Sequence, residues 1–403
     1  MTRPLLLVAA TGFLLMLGLS VLFPVLGFFT RELAMSDFEA GMMMSSYALA
    51  SFVTAPFWGR YSDRVGRRRA ILIGLMGFSL AFGLFGLGSS FWELLGARLL
   101  GGALAAAAMP AVFAYVSDVT TAERRSTALG MLGASFGLGV IAGPVLGGLV
   151  ASSYGVRAPF FLASAIGLVA AVAVMFLLPE SLTPEIRKAN AERRRGLEAL
   201  GLGTTAIAAR LAPFLGYSFL VQTGRMGLES TLAFLLADRF EGTVRDVGLL
   251  LMFVGLIAAV VQGGAIRPLS QRFSDRGLML FGTGLLAVGL AGLGFANNWY
   301  AMALAAGTLA LGAALQTPTF TAELSRGAEE FAGEAQGLNS SAMSLGRVVG
   351  PLLFTALYSA AGTVIPYLVA GLVVLLALVL AIFRVRPLES VSGTLADASS
   401  PAD

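Results

Sequence analysis

Proton chemistry in this chain has few possible carriers, because its 403 residues include no His and no Cys. Without His, the side chain that usually titrates near neutral pH is missing, so proton transfer falls to Asp or Glu. Glu229 is the only acidic residue well inside a long apolar stretch, and Arg225 precedes it by four residues. Side chains four apart share one face of a helix, so these two can pair. The pair is either a structural salt bridge or a proton-coupling site, and the sequence leaves both open.

Burial favours the protonated form of a carboxyl, whereas a neighbouring arginine favours the ionised form. A carboxyl held between these two influences could load a proton on one side of a membrane and release it on the other. Ionisable residues at membrane depth are costly and usually functional. We expect four of them here, Arg98, Arg225, Glu229 and Arg347. Glu93 and Glu323 lie nearer the ends of apolar stretches and are weaker candidates.

The elements that position these residues must be membrane helices. Of all residues 57% are hydrophobic and 12% are charged, whereas soluble domains carry roughly 25% charged residues. A membrane helix needs ~20 apolar residues. This criterion predicts twelve spans, near 5–29, 38–59, 70–89, 91–117, 127–151, 157–178, 211–237, 245–266, 278–296, 299–322, 335–360 and 364–383.

The two sets of six spans repeat one pattern. Gly139 and Gly143-Pro144 recur as Gly346 and Gly350-Pro351, at an offset of 207 residues. We therefore predict a tandem repeat, with a substrate site between the halves near the bilayer midplane. The predicted organisation is an N-terminal six-helix bundle (1–178), a basic cytoplasmic linker (179–205), a C-terminal six-helix bundle (206–385) and a disordered cytoplasmic tail (386–403).

Arginines are distributed unevenly between the two sets of connecting turns. With the N-terminus inside, the outer side receives only Arg31, Arg157, Arg239 and Arg245. The positive-inside rule therefore predicts cytoplasmic N- and C-termini. The cytoplasmic side receives Arg3, Arg60, Arg64, Arg67–Arg69, Arg124, Arg125, the linker, Arg267, Arg272, Arg276, Arg384 and Arg386.

The turn between the second and third spans carries a dense pattern of glycine and charge. It could be an ordinary basic turn, with glycines for a tight bend. Its full spacing, however, resembles the signature loop of the major facilitator superfamily. In that family the loop steadies the outward-facing state through a charge relay with an acidic residue at the end of helix four, and Asp118 is the matching position. The loop residues are Gly59, Asp63, Arg64, Gly66, Arg67 and Arg68, and Gln271 replaces the aspartate in the second half.

Glycines four apart in the fifth span form a smooth stripe on which another helix can pack. The complete pattern resembles the helix-five motif that the superfamily associates with antiporters, which favours export over uptake. Arg98 with Gly102 is similar to a helix-four motif whose arginine is linked to proton transfer. The helix-five residues are Gly139, Gly143, Pro144, Gly147 and Gly148.

The resemblance covers residues 5–385. It implies an all-α integral membrane protein, with twelve transmembrane helices in two pseudo-symmetric bundles. Bacterial multidrug and tetracycline efflux carriers of the drug:proton antiporter group are most similar. The leading hypothesis is therefore proton-coupled export of hydrophobic or cationic small molecules, with Glu229, Arg225 and Arg98 in proton coupling. Candidate cavity residues are Phe23, Met109, Phe113, Phe219, Gln222, Met226, Phe234 and Arg347.

Other hypotheses remain open. A carrier of a sugar or another polar metabolite would use cavity amides such as Gln222, Gln262 and Gln316. A channel is less consistent with a two-fold repeat. The sequence offers no nucleophile–base pair, metal cluster or phosphate loop of an enzyme. We expect no cofactor, no metal and no nucleic-acid partner, and a monomer in the inner membrane of a bacterium.

Overall fold

A computed structural model describes residues 3–185, 187–188, 204–327 and 332–385. Residues 189–203 of the predicted linker and the predicted tail (386–403) lie outside the described residues. The described chain folds into twelve long helices. They are α1 (Arg3–Glu32), α2 (Asp37–Val65), α3 (Arg67–Leu87), α4 (Phe91–Val119), α5 (Ala122–Tyr154), α6 (Ala158–Leu177), α7 (Thr204–Phe240), α8 (Val244–Arg272), α9 (Asp275–Phe295), α10 (Trp299–Gly327), α11 (Ala332–Ala361) and α12 (Ile365–Phe383).

Each predicted span coincides with one of these helices, so the prediction of an all-α membrane protein is confirmed. Within the described residues, ten helical stretches are long and apolar enough to cross a membrane. The other two, α2 and α7, are 29 and 37 residues long but carry more polar side chains. Three helices contain local breaks: α1 at Val21, α4 at residues 106–107, and α8 at the π-helical turn Val261–Ala265.

Short polar sequences start the helices at one end of the bundle. Ser36 caps α2 and Ser90 caps α4, and in each case a glutamate three residues later bonds back to the cap. Such capping boxes satisfy amide groups that the first turn of a helix leaves unpaired. Glu93, the glutamate of the α4 cap, accepts hydrogen bonds from the Ser89 and Ser90 amides at 2.8 and 3.4 Å. The Glu93 carboxylate therefore caps the N-terminus of α4.

Small residues allow α5 to pack directly against α1. A Cβ atom on Gly139 would lie 2.5 Å from the Phe13 carbonyl oxygen, and one on Gly147 would lie 2.6 Å from that of Val21. Gly143 lies between them and is equally close to the Leu17 carbonyl, at 2.5 Å. Helices approach this closely only where side chains are absent, which is how membrane helices gain van der Waals contact.

The second half repeats this contact between α11 and α7. A Cβ atom on Gly346 would lie 3.0 Å from the Phe219 carbonyl, and one on Gly350 would lie 3.0 Å from that of Thr223. The sequence offset of 207 residues thus relates two equivalent helix pairs in space. One large hydrophobic cluster comes almost wholly from α1–α6 and the other almost wholly from α7–α12.

The glycine stripe predicts a sharp difference between two substitutions on α5. Gly143→Val would place methyl groups against the α1 backbone, and overpacking of this kind costs about 1–3 kcal/mol. Gly133, on the same helix, has no neighbouring atom within 4 Å of a built Cβ. We expect Gly143→Val to lower the thermal unfolding temperature of the purified protein and Gly133→Val to leave it nearly unchanged. Equal stability of the two variants would contradict close packing at Gly143.

Candidate functional site

The two ends of the helical bundle differ in charge and in contact. We call the end that carries the α2–α3 turn the basic end, since Arg60, Arg64 and Arg67–Arg69 cluster there. We call the opposite end the Arg31 end, after the residue at the last turn of α1. These names describe position in the bundle only.

Four helices are joined at the Arg31 end by one charged network. The Arg31 guanidinium (α1) pairs with both carboxylate oxygens of Asp238 (α7), at 2.5 and 3.0 Å. It also pairs with Asp37 (α2) at 3.1 Å and lies over the Phe234 ring at 4.8 Å. Tyr358 (α11) donates to Asp238 at 2.8 Å. We call Arg31, Asp37, Asp238 and Tyr358 the Arg31 latch, and it closes this end between the two halves.

Small residues complete the closure beneath the latch. A Cβ atom on Gly41 (α2) would lie 2.8 Å from the Pro351 carbonyl oxygen (α11). On α5, Gly148 lies against the first turn of α8, with the Val244 carbonyl 3.0 Å from a built Cβ. In return, Gly248 of α8 lies against the Pro144 carbonyl. The helix-five motif therefore has two faces, one packed on α1 within its own half and one packed on α8 in the other half.

The halves separate toward the basic end. On α5, built Cβ atoms on Gly130, Gly133 and Gly137 meet nothing within 4 Å, and the same holds for Gly263 and Gly264 of α8. Arg67–Asp63, Arg67–Asp118 and Arg326–Asp275 are ion pairs at this end, and each stays within one half. In the described part of the chain, the gap between the halves is therefore open at the basic end and closed at the Arg31 end.

The charged residues predicted at membrane depth meet in this gap. Glu229 lies 11 residues before the end of α7, about 16 Å from the Arg31 end at the rise of an α-helix. It is half-buried and lies within electrostatic range of Arg225 and of Arg347 on α11. No ion pair joins these three among the described residues. Arg225 and Glu229 share a helix face as expected, but no salt bridge links them directly. Arg347 is exposed to the gap.

Arg98 is held apart from Glu229 in the first half. Its side chain is 6% exposed. The guanidinium lies over the Tyr47 ring at 4.5 Å, and its Nε donates to the Met43 carbonyl at 3.3 Å. Tyr47 lies within electrostatic range of both Arg98 and Arg347. Tyr47 of α2 therefore lies between Arg98, the arginine predicted for proton transfer, and Arg347.

The predicted apolar lining is only partly brought together. Phe23 lines a small cavity with Glu229, and Phe219, Met109 and Phe113 are partly exposed. Phe234, which is 1% exposed beneath Arg31, lines the same cavity, whereas Gln222 and Met226 are buried where α7 packs on α11. In this conformation, Gln222 and Met226 belong to the packed seam between α7 and α11.

At the basic end, the loop residues form a relay around Arg67. This buried arginine pairs with Asp63 at 2.5 Å and with Asp118 at 3.0 Å. Ser181 donates to Asp118 at 3.0 Å, and Gly66 makes the turn with φ +122°. Positive φ is a conformation that glycine adopts without strain. Of the remaining loop residues, Arg64 is exposed, Gly59 has open space around it, and Arg68 bonds the Met175 carbonyl.

Sequence reasoning missed Glu180, which caps α3. Its carboxylate accepts hydrogen bonds from the backbone amides of Arg67 and Arg68, at 2.8 and 3.2 Å. An acidic group is favourable at a helix N-terminus. A Cβ atom on Gly66 would meet this carboxylate, so Gly66 also makes room for the cap. The sequence did contain a signal for this cap, since Glu180 is an acidic residue directly after the sixth predicted span.

The second half keeps the relay with its charges exchanged. Asp275 lies 208 residues after Arg67, and Arg326 lies 208 residues after Asp118. These two pair at 2.5 Å, and Arg326 also bonds Glu323 at 3.2 Å. Gln271 replaces the loop aspartate, as the sequence predicts, but the ion pair itself survives with opposite polarity. Glu323 is thus bonded to Arg326 near the C-terminal end of α10.

Comparison with known proteins agrees with this geometry. The family model described as Major Facilitator Superfamily matches residues 8–266 and 214–401. Multidrug resistance protein 2 of Bacillus subtilis is 32% identical over 91% of this chain and 91% of its own length. Tetracycline resistance protein, class C, of Escherichia coli is 30% identical over 86% and 87%. This chain belongs to the major facilitator superfamily.

Solved structures show the same major facilitator fold. A bacterial homologue of the human lysosomal transporter Spinster superposes with a TM-score of 0.77 over 100% of both chains, at 16% identity. The human organic anion transporter MFSD10 superposes with a TM-score of 0.69 over 94% of this chain and 99% of its own, at 22% identity. At these identities, the likeness concerns the fold alone.

The repeat of a major facilitator protein contained a signal for the Arg31 latch. Arg31 and Asp238 are 207 residues apart, which is the offset between the two halves. A pseudo-two-fold axis between the halves brings equivalent positions together where the halves touch. Opposite charges at equivalent positions therefore predict a pair across the interface.

The latch predicts that removing its acid opens the Arg31 end. Asp238→Asn deprives Arg31 and Tyr358 of their shared charged partner, while Glu241→Gln changes an exposed carboxylate nearby. The chain has no Cys, so spin labels at Glu32→Cys and Asn297→Cys report the distance across this end. We expect Asp238→Asn to raise the population with the longer distance severalfold, since a small energy shifts a two-state equilibrium. An unchanged distance distribution, matching the Glu241→Gln control, would remove the latch from the conformational cycle.

Proposed function

We propose that this chain is a proton-coupled antiporter that exports small molecules from a bacterial cell by alternating access between its two halves. The observation that carries the proposal is the position of Glu229. In the described part of the chain, it is the single carboxylate in a gap between the halves that is open at one end only. Relatives named for multidrug, tetracycline and quinolone resistance support it. The proposal includes a monomer in the inner membrane. It also gives the cytoplasmic loop and the helix-five motif the conformational roles that the family assigns to them.

The orientation in this proposal places the basic end in the cytoplasm. The excess of arginine at that end supports it, since positively charged turns are retained inside. Both termini and residues 179–202 are then cytoplasmic, and the described conformation faces inward. A protease site inserted after residue 195 should be cut in inverted vesicles and protected in intact spheroplasts. Cleavage in intact spheroplasts would reverse the orientation.

The amides that favour a polar-metabolite carrier gain no support from their positions. Gln222 and Gln316 are each 5% exposed and lie in helix packing, and only Gln262 is exposed. The gap itself offers a carboxylate, two arginines and mainly apolar or aromatic neighbours. This composition suits an amphipathic molecule better than a sugar, which needs many hydrogen bonds.

In the proposed cycle, Glu229 exchanges a proton for substrate. Arg225 and Arg347 stabilise its ionised form, and the apolar cavity that it shares with Phe23 and Leu26 stabilises the neutral form. The latch end must open for Glu229 to load a proton from outside. The basic end must open for the proton to leave inward, which is the arrangement described above. Alternation between these two openings couples the proton to the substrate.

The proposal predicts that Glu229→Gln abolishes uphill transport. Glutamine keeps the shape and most hydrogen bonding of the side chain but cannot ionise. In proteoliposomes with an imposed pH gradient, we expect the variant to equilibrate a fluorescent cationic dye without accumulating it. Glu323→Gln is the matched control, because Glu323 lies at the basic end of α10 and bonds Arg326. Accumulation by Glu229→Gln at the wild-type level would overturn the assignment.

A further inference from the structure

The centre of the protein carries more positive than negative charge. Arg225 and Arg347 border the gap, and Arg98 is buried at a similar depth in the first half. In the described part of the chain, Glu229 is the only acid at that depth, so the ordinary charges sum to +2. Arg31, nearer the end, is neutralised by Asp37 and Asp238. Uncompensated charge at membrane depth is costly, and it is retained where it serves a bound ion or substrate.

Among the described residues, two of the three central arginines have no hydrogen-bond or ion-pair partner. Arg98 is occupied by the Tyr47 ring and the Met43 carbonyl. Throughout the described ranges, Arg225 and Arg347 make no hydrogen bond and no ion pair, and they are half-buried and exposed, respectively. Both act electrostatically on Glu229, so both lie near it at the gap between the halves.

These two arginines project from helices in direct contact. Gly346, next to Arg347, packs against the backbone of Phe219 and Thr223 on α7, six and two residues before Arg225. The Arg225 guanidinium is close enough to act electrostatically on that of Arg347. Guanidinium groups bind carboxylates through paired, charge-assisted hydrogen bonds. A pair of them beside an open gap is suited to a carboxylate.

We propose that Arg225 and Arg347 bind a carboxylate of the transported molecule and that a basic group of the same molecule faces Glu229. The substrate class is therefore amphoteric, with an acidic and a basic group on one largely apolar body. This inference rests on the proposed antiport, because it names the substrate of that same site.

Antiport itself selects an amphoteric molecule over a simple anion. An anion bound to Arg225 and Arg347 would weaken their hold on ionised Glu229 and thereby favour its protonation. Linkage is reciprocal, so proton and anion would then bind together and move in the same direction. A basic group facing Glu229 needs the ionised carboxylate and so excludes the proton. Antiport requires that the substrate and the proton exclude each other from Glu229 in this way.

A simple cation fits the cluster less well than an amphoteric molecule. It would bring a further positive charge beside Arg225 and Arg347, with Glu229 as the only counter-charge. In a partly apolar gap, such repulsion between neighbouring charges is weakly screened. A carboxylate on the same molecule turns this repulsion into attraction. We therefore expect a simple cation to bind, but more weakly than its carboxylated counterpart.

Rhodamine 110 and rhodamine 123 provide a matched pair of probes, since the second is the methyl ester of the first. Binding to the purified protein is measured by fluorescence polarisation. We expect rhodamine 110, which keeps its carboxylate, to bind about tenfold more tightly, as one charge-assisted hydrogen bond provides. Arg225→Gln and Arg347→Gln should each remove most of this preference and leave ester binding no weaker, which also verifies the fold. Arg347→Lys should fall between.

Arg276→Gln is the control, since Arg276 donates to the Ile382 carbonyl at the basic end. Equal binding of the two dyes to the wild-type protein, or a preference that survives both glutamine variants, would overturn the carboxylate site. Transport is scored separately in proteoliposomes. If rhodamine 123 accumulates in a Glu229-dependent way but rhodamine 110 binds no more tightly, the antiport is supported and the carboxylate site is contradicted. An arginine-dependent acid preference without pH-driven transport of either dye would support the carboxylate site and overturn the antiport.

Discussion

The absence of side chains along two helix seams is the constraint on which the rest of the structure depends. Within a lipid bilayer there is no hydrophobic driving force for helices to associate, so tight van der Waals contact must hold each half together. Gly139, Gly143 and Gly147 provide it between α5 and α1, and Gly346 and Gly350 provide it between α11 and α7. Contacts of this closeness cannot slide, and each half can therefore move as a unit.

The contacts between the halves are of a different kind. At the Arg31 end they are ion pairs and a tyrosine hydroxyl, partly exposed, above a small patch of glycine packing at Gly41 and Gly148. Half-exposed ion pairs contribute little stability, ~1 kcal/mol each. A seam of this strength can open and reform without unfolding either half. Strong seams within halves and weak seams between them are the physical requirement for rocking between two states.

The sequence predicted the fold well, because long apolar stretches identify membrane helices and the constant offset of 207 residues identifies the repeat. It placed Glu229 on a face with Arg225 but could not show that Arg347, 118 residues away, shares its surroundings. It also could not separate Gln222 and Met226, which are buried where α7 packs on α11, from Phe23, which borders Glu229. Such distinctions depend on helix rotation, which hydropathy does not encode. The latch and the exchanged relay could have been found by reading charge at the repeat offset.

The repeat also explains why the two halves share chemistry unequally. At equivalent positions the halves carry Arg31 and Asp238, which pair across the interface. They also exchange charge within the relay, where Arg67–Asp118 of the first half corresponds to Asp275–Arg326 of the second and each pair stays in its own half. Opposite charges on a pseudo-two-fold pair attract across the axis, whereas identical charges would repel, so divergence of the halves is favoured wherever they meet. The same reasoning applies to the centre. Glu229 corresponds to Leu22 in the first half, and a second carboxylate there would add a like charge to one small cavity that both residues line. One acid facing an apolar partner can lose and regain a proton as a single group, which a coupled pair of acids cannot do.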